Sequence, residues 1–242
     1  EILDFFPCAP SSSHDMPARR RCSASWYDTA RRRVLLSRQK IVIVGGGSNA
    51  WTPNIVKDMM LTDGLTDAHF VLYDINKKAA NVVEKYLNFL NDNHLHTKAT
   101  FESTTDRARA FKGGDYFIIT ISTGGFKSMA HDLDIPEDYG IYHTVGDTAG
   151  PGGWARCIRN FTVFTELAND INRYAPGAMV LNYTNPMTTL TKVLSMVCDG
   201  PVVGLCHGVF ENFEYLKNLY NLESEDEISA NYAGVNHFFF MT

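Results

Sequence analysis

The stretch Lys40-Ile41-Val42-Ile43-Val44-Gly45-Gly46-Gly47-Ser48-Asn49-Ala50 decides how this chain is to be read. Five residues with an unbroken apolar centre, closed abruptly by glycines, are what a strand buried on both faces of a parallel sheet looks like. Thr52 and Pro53 follow at once, a cap and a first-turn proline for a helix. A second strand is read at His69–Asp74, and Asp74 is its last residue. Gly45 to Ala50 fits G-x-G-x-x-A, in which glycines allow a tight turn and let backbone amides approach a pyrophosphate at a helix N-terminus. An acid closing the second strand accepts from ribose hydroxyls and repels a 2′-phosphate, so NAD is expected rather than NADP. The alternative is a glycine-rich turn beside a solvated Asp.

The same alternation continues outward. The sequence predicts a helix from Asn76 to about Asn91, with Ala79, Val82, Val83, Tyr86, Leu87 and Leu90 on one side, and a strand at Asp115–Ser122. A helix is expected from Trp154 to Tyr174, a strand at Ala178–Asn182, a helix at Met187–Cys198 and a strand at Val202–Leu205. Residues 123–153, rich in Gly and Pro, read as a long connection over a site. The expected fold is α/β, a doubly wound Rossmann-type parallel sheet with right-handed crossovers. The last residues, around Phe238–Met241, read as a strand interrupted by the chain end.

Composition sets limits on function. The 242 residues carry 22 Lys+Arg against 27 Asp+Glu, a net charge of −5, with 45% hydrophobic and 20% charged residues. That supports a real core and gives no general attraction to nucleic acid or anionic membranes. No stretch approaches the ~18 consecutive apolar residues of a membrane span. Five cysteines are too few and too odd for a disulfide scaffold, so a reducing, cytoplasmic setting is the expectation. Residues 1–39 hold seven arginines and four acids, leaving −8 for residues 40–242. This basic segment, with Pro7, Pro10, Pro17 and three consecutive serines, reads as a poorly ordered leader, a targeting segment or an artefact of the chain start. Three parts are therefore expected: the leader 1–39, a dinucleotide-binding domain 40–205, and the beginning of a catalytic domain at 206–242.

A second constellation is Cys206-His207-Gly208 at a strand end and Gly234-Val235-Asn236-His237 some thirty residues on. Carboxyl ends of parallel strands are where open α/β sheets bind ligands. Thiolate and imidazole can share a borderline divalent metal, with substrate oxygens completing the shell. Spacing alone leaves the alternatives open: a buried cysteine, and a core histidine beside Phe238-Phe239-Phe240.

The motifs Val145-Gly146-Asp147-Thr148-Ala149-Gly150-Pro151-Gly152-Gly153, Asn185-Pro186-Met187, Cys206-His207-Gly208 and Gly234-Val235-Asn236-His237 follow the glycine loop and Asp74 in one order. From about Lys40 onward this resembles glycoside hydrolase family 4, the NAD- and divalent-metal-dependent glycosidases. The resemblance implies a redox route to hydrolysis rather than the two-carboxylate scheme: oxidation at C3 of the sugar, loss of the C2 proton, elimination of the glycosidic oxygen, addition of water and return of the hydride. It implies NAD and a divalent metal, with Mn2+ expected, as cofactors. It places the metal on Cys206 and His237, the cofactor on Gly45, Gly47, Ser48 and Asp74, and the substrate on Asn185. Asp147 becomes a candidate acid or hydroxyl ligand; His207 a candidate for assisting the leaving group or binding the sugar.

Two departures refine the expectation. Phospho-sugar members carry an Arg ahead of the Asp-x-x-Ile-Pro segment, where this chain has Met129, and an Asp where it has His207. A non-phosphorylated α-glycoside is therefore expected, leaning to α-galacturonides or α-glucuronides. Family members also continue for about as much chain again, with the tyrosine base in that part. A homo-oligomer is expected at full length, and the 242 residues alone are expected to be inactive. The other readings carried forward are an NAD-dependent hydroxy-acid dehydrogenase and an inactive NAD-binding fragment.

Overall fold

A computed structural model describes residues 38–242; the basic leader, but for Arg38 and Gln39, lies outside them. Six parallel strands form one sheet: β1 Lys40–Val44, β2 His69–Tyr73, β3 Thr100–Thr104, β4 Tyr116–Ile119, β5 Met179–Asn182 and β6 Val202–Gly204. Their order is β3-β2-β1-β4-β5-β6, so the chain reverses its direction of winding between β1 and β4. Such a reversal leaves a crevice at the carboxyl ends of the two strands, the usual ligand position in open α/β sheets.

Alternation along β1 explains the two layers. Ile41 and Ile43 join Val56, Met60, Phe70, Leu72, Val83 and Leu87 in one core cluster. Val42 and Val44 join Phe111, Phe117, Phe164, Leu167, Leu190 and Leu194 in the other. Successive side chains of a strand point to opposite faces, so a strand covered on both needs the continuous apolar run seen at 41–44. The first face is covered by α1 (Thr52–Met60) and α2 (Lys77–Leu90). The second is covered by α3 (Arg107–Phe111), α5 (Gly150–Tyr174) and α6 (Met187–Val197), whose Phe111, Phe164 and Leu190 lie in its core. Helix α4 (Gly125–Glu137) lies against α5. Beyond β6 come α7 (Gly208–Tyr220) and a hairpin of β7 (Tyr232–Val235) with β8 (Phe238–Met241). Helix α7 buries none of its residues, and Tyr232, Val235, Phe238 and Phe240 of the hairpin are exposed. Among the described residues no helix is long and apolar enough to cross a membrane.

Several local expectations need correction. Residues 123–153 are not a plain connection, because α4 occupies Gly125–Glu137 and α5 begins at Gly150 rather than Trp154. The glycines that suggested a loop serve contact instead: a Cβ on Gly152 would stand 2.6 Å from the Asp132 carbonyl oxygen, and one on Gly153 would overlap that of Thr148. Strand β3 went unread because it is an edge strand whose first three residues are not buried. In α1 the cap position is Trp51, since the buried Thr52 turns its hydroxyl to the Gly45 carbonyl at 3.4 Å. The buried stripe of α2 is Ala80, Val83 and Leu87; Val82 and Tyr86 face outward.

Candidate functional site

The glycine loop leaves β1 and lies across the ends of β2 and β4. Gly45 and Gly46 both donate their amides to the Tyr73 carbonyl, at 2.9 and 3.0 Å. Gly45 has φ 95°, and a Cβ there would overlap the Thr120 carbonyl oxygen. A Cβ on Gly46 would sit 2.6 Å from Leu72 Cα. Asp74 accepts from Gly47 N at 2.9 Å through one carboxylate oxygen and from Asn76 N at 2.8 Å through the other. Ser48 Oγ accepts from Trp51 N at 3.2 Å, which closes the turn into α1. Gly45, Gly47, Ser48 and Asp74 thus form one continuous backbone cradle at the switch point. The amides of Gly45, Gly47 and Ser48 are all taken up within the chain, Ser48 N donating to the Gly45 carbonyl at 3.0 Å, so the loop offers a pyrophosphate a close backbone approach and the α1 N-terminus behind it rather than these three amides.

The other predicted residues meet at the carboxyl ends of β5 and β6. Asn185 follows β5, Cys206 follows β6, and their strands are paired in register from Val180↔Val202 to Asn182↔Gly204. Cys206 Sγ lies 3.3 Å from His237 Nε2 and accepts from Gly208 N at 3.4 Å. His237 occupies the second position of the two-residue turn between β7 and β8, at φ 62°. Glycine is the low-cost residue for a left-handed turn position, so a histidine there costs about 1–2 kcal/mol of backbone strain. His237 Nδ1 lies 3.0 Å from Thr148 Oγ1, which donates to Asp147 Oδ1 at 2.9 Å. Asp147 Oδ2 accepts from Asn185 Nδ2 at 3.0 Å, and the Asn185 carbonyl accepts from Arg156 Nε at 3.0 Å. Burial draws the Arg156 guanidinium pKa down, opposed by the nearby Asp147 charge. Asp147, Asn185, Cys206 and His237, from four separate segments, form one bonded cluster.

Among the described residues no three His, Cys, Asp or Glu side chains converge as a metal cage. The pair Cys206 and His237 nevertheless suits a shared ion. Metal–sulfur and metal–nitrogen bonds of about 2.3 and 2.0–2.1 Å set the two donors about 3.1 Å apart at a right angle and about 3.5 Å at the tetrahedral angle; the observed separation is 3.3 Å. A cavity of about 260 Å³ opens beside them, lined by residues including Val209, Tyr232, Asn236 and Phe239. Asn236 Oδ1 is buried without a hydrogen-bond partner.

His207 stands between the two groups rather than inside either. Its Nε2 is 2.9 Å from Glu211 Oε1 one helical turn on, and its ring meets the Trp51 indole edge-on at 5.3 Å. Trp51 belongs to the glycine-loop segment, so this contact joins the cofactor cradle to the Cys206 strand end. Sequence reasoning missed Trp51, Glu211 and Thr148. It also missed Arg159, whose guanidinium holds the nearly buried Asp132 carboxylate through both oxygens and the Thr123 carbonyl at 3.2 Å.

Residues 40–222 match the family model described as Family 4 glycosyl hydrolase. The chain is similar to the alpha-galacturonidase of Thermoanaerobacter italicus, 37% identical over 205 residues that take in 82% of this chain and 44% of that protein. A crystal structure from Bacillus subtilis superposes with a TM-score of 0.75 at 34% identity, covering 86% of this chain and 48% of the other. A 6-phospho-alpha-glucosidase from gut microorganisms, solved in complex with NAD and Mn2+, gives 0.74 at 26% identity over 85% and 47%. The chain therefore spans about half the length of the relatives it matches. With the fold, the motif order and these matches in agreement, the chain belongs to glycosyl hydrolase family 4.

Proposed function

We propose that residues 40–242 supply the NAD-binding and metal-holding part of a glycosidase acting on α-linked, non-phosphorylated sugars, α-galacturonides first among them. The observation that carries this reading is the Cys206–His237 pair, 3.3 Å apart at the carboxyl edge of the sheet and joined through Thr148 and Asp147 to Asn185. A hydroxy-acid dehydrogenase has no need of such a pair, and family membership decides against it. For the sugar, support comes from the alpha-galacturonidase relative, with Met129 and His207 standing where phospho-sugar members carry Arg and Asp.

When bound, NAD supplies reversible oxidation at the sugar's C3 and the divalent metal supplies Lewis acidity toward its oxygens. The chain's own residues do the rest of the proposed work. Gly45, Gly47 and Ser48 shape the turn against which the pyrophosphate lies, and Asp74 orients the adenosine ribose. Cys206 and His237 hold the metal from one side and leave its other positions open to sugar hydroxyls. Asn185 offers its amide to the substrate while bonded to Asp147, so its orientation is fixed before the sugar arrives. Asp147 faces the reacting sugar as an acceptor for a hydroxyl. His207, bonded to Glu211 and set against Trp51, is our candidate for assisting the leaving oxygen.

The test uses a chimera joining residues 40–242 to the remaining part of the Thermoanaerobacter italicus relative. It should cleave an aryl α-galacturonide only with NAD and a divalent metal present together, and cleave 6-phosphoglucosides poorly. NAD binding without any metal-dependent turnover would favour the inactive-module reading instead.

A further inference from the structure

We infer that Thr148 is the positioning residue that selects the metal-facing nitrogen of His237, relaying the charge of Asp147 to the imidazole; this rests on the reading of Cys206 and His237 as the metal pair. A threonine hydroxyl has one proton and two acceptor sites. Thr148 Oγ1 gives that proton to Asp147 Oδ1 at 2.9 Å, because an ionised carboxylate can only accept. With that proton on Asp147, the same oxygen accepts at 3.0 Å from His237 Nδ1, and the proton of the neutral ring sits on Nδ1. Nε2 is left with its lone pair, and Nε2 is the nitrogen 3.3 Å from Cys206 Sγ. Asp147 Oδ1 itself is 3.8 Å from Nδ1, too far for a direct bond, so the hydroxyl is the necessary intermediary.

The arrangement is held from outside. Asp147 is fixed at its second oxygen by Asn185 Nδ2. The Thr148 carbonyl packs so closely on Gly153 that no side chain fits there, and the Gly146 carbonyl similarly excludes one at Gly152. The turn is therefore pressed onto the start of α5 through backbone contact. His237 has a left-handed backbone and lies across from Thr148 at a separation of 89 residues. A ring on a two-residue turn has few neighbours to fix its rotation, so its outer hydrogen bond sets both the tautomer and the ring plane.

Two measurements on the chain decide this. In the metal-free protein with 15N-labelled histidine, multiple-bond 1H–15N correlation should show neutral His237 carrying its proton on Nδ1. Titration with Co2+, followed by the thiolate-to-cobalt charge-transfer absorption, should give wild-type and Thr148→Ser affinities within about threefold of each other. Thr148→Val, which keeps the shape and removes the hydroxyl, should bind about 10–100-fold more weakly. Its NAD affinity should be unchanged, which a general loss of folding would not leave intact. Equal Co2+ affinity in Thr148→Val, or a neutral His237 with its proton on Nε2, would overturn the inference. The tautomer reading needs no variant, so it decides even if Thr148→Val does not fold. Absence of any charge-transfer band in the wild type, with Cys206→Ser as its blank, would instead overturn the metal-pair reading beneath it.

Discussion

The Asp74 carboxylate and the Gly47 amide are bonded at 2.9 Å across the mouth of the glycine loop, and a Cβ on Gly47 would stand 2.8 Å from the same Asp74 oxygen. Loop and acid are therefore one unit. The carboxylate that would meet the ribose also holds the backbone that would meet the pyrophosphate, so a single side chain couples cofactor choice to loop geometry.

Asp74→Ala should weaken NAD binding by about tenfold, about 1.4 kcal/mol, and NADP binding by less, because the repulsion of a 2′-phosphate disappears with the charge. Calorimetric titration of both cofactors against wild type and variant measures the two ratios. A wild-type preference for NADP would remove the ribose role from Asp74.

Gly45→Ala should be more damaging than a change on the exposed side of the loop. It forces a side chain onto φ 95° and into the Thr120 carbonyl, so a loss of about 1–3 kcal/mol is expected. Denaturant unfolding checks this. A variant as stable as wild type would mean that the loop is not packed against the end of β4.

His237 offers a separation of stability from function. His237→Ala and His237→Gly should both abolish Co2+ binding while retaining NAD binding. The glycine variant should be the more stable of the two by about 1 kcal/mol, since the turn holds this residue at φ 62°. Equal melting temperatures would contradict the left-handed turn; retained Co2+ binding in both would contradict the ligand role.

Breaking the Arg159–Asp132 pair should cost about 3 kcal/mol in Arg159→Ala, because Asp132, only 5% exposed at its side chain, would lose the guanidinium bonded to both its oxygens. Asp132→Asn in the same chain should recover much of that loss. Paired thermal melts compare them; no recovery in the double variant would show that the guanidinium matters for its bond to Thr123 rather than for the ion pair.

The legible parts of the fold were those with a strong period or a chemical signature. β1, β2 and β4 could be read because their residues are buried on both faces, and α2 because its apolar residues recur at helical spacing from Ala80 to Leu87. β3 and α4 were not legible. Thr100–Thr104 carries too few buried residues for an apolar run, and α4 opens on Gly124-Gly125 and includes Pro136, residues that ordinarily mark loops. For the site, spacing alone left Cys206 and His237 open, and the family resemblance in the motif order marked them out with Asp147 and Asn185; the structure brings the four together. Thr148 did not. A threonine inside a glycine-rich turn has no local pattern pointing to a histidine 89 residues away, and Arg159 likewise becomes meaningful only once α4 exists to carry Asp132.

Whether the cofactor loop and metal pair serve hydrolysis by a redox route is decided by running the chimera on an α-galacturonide in D2O and examining the released sugar by NMR. Deuterium is expected at C2 of the product, with cleavage lost when NAD or the divalent metal is withheld. Cleavage that leaves C2 fully protonated, or that proceeds without NAD, would contradict the redox route.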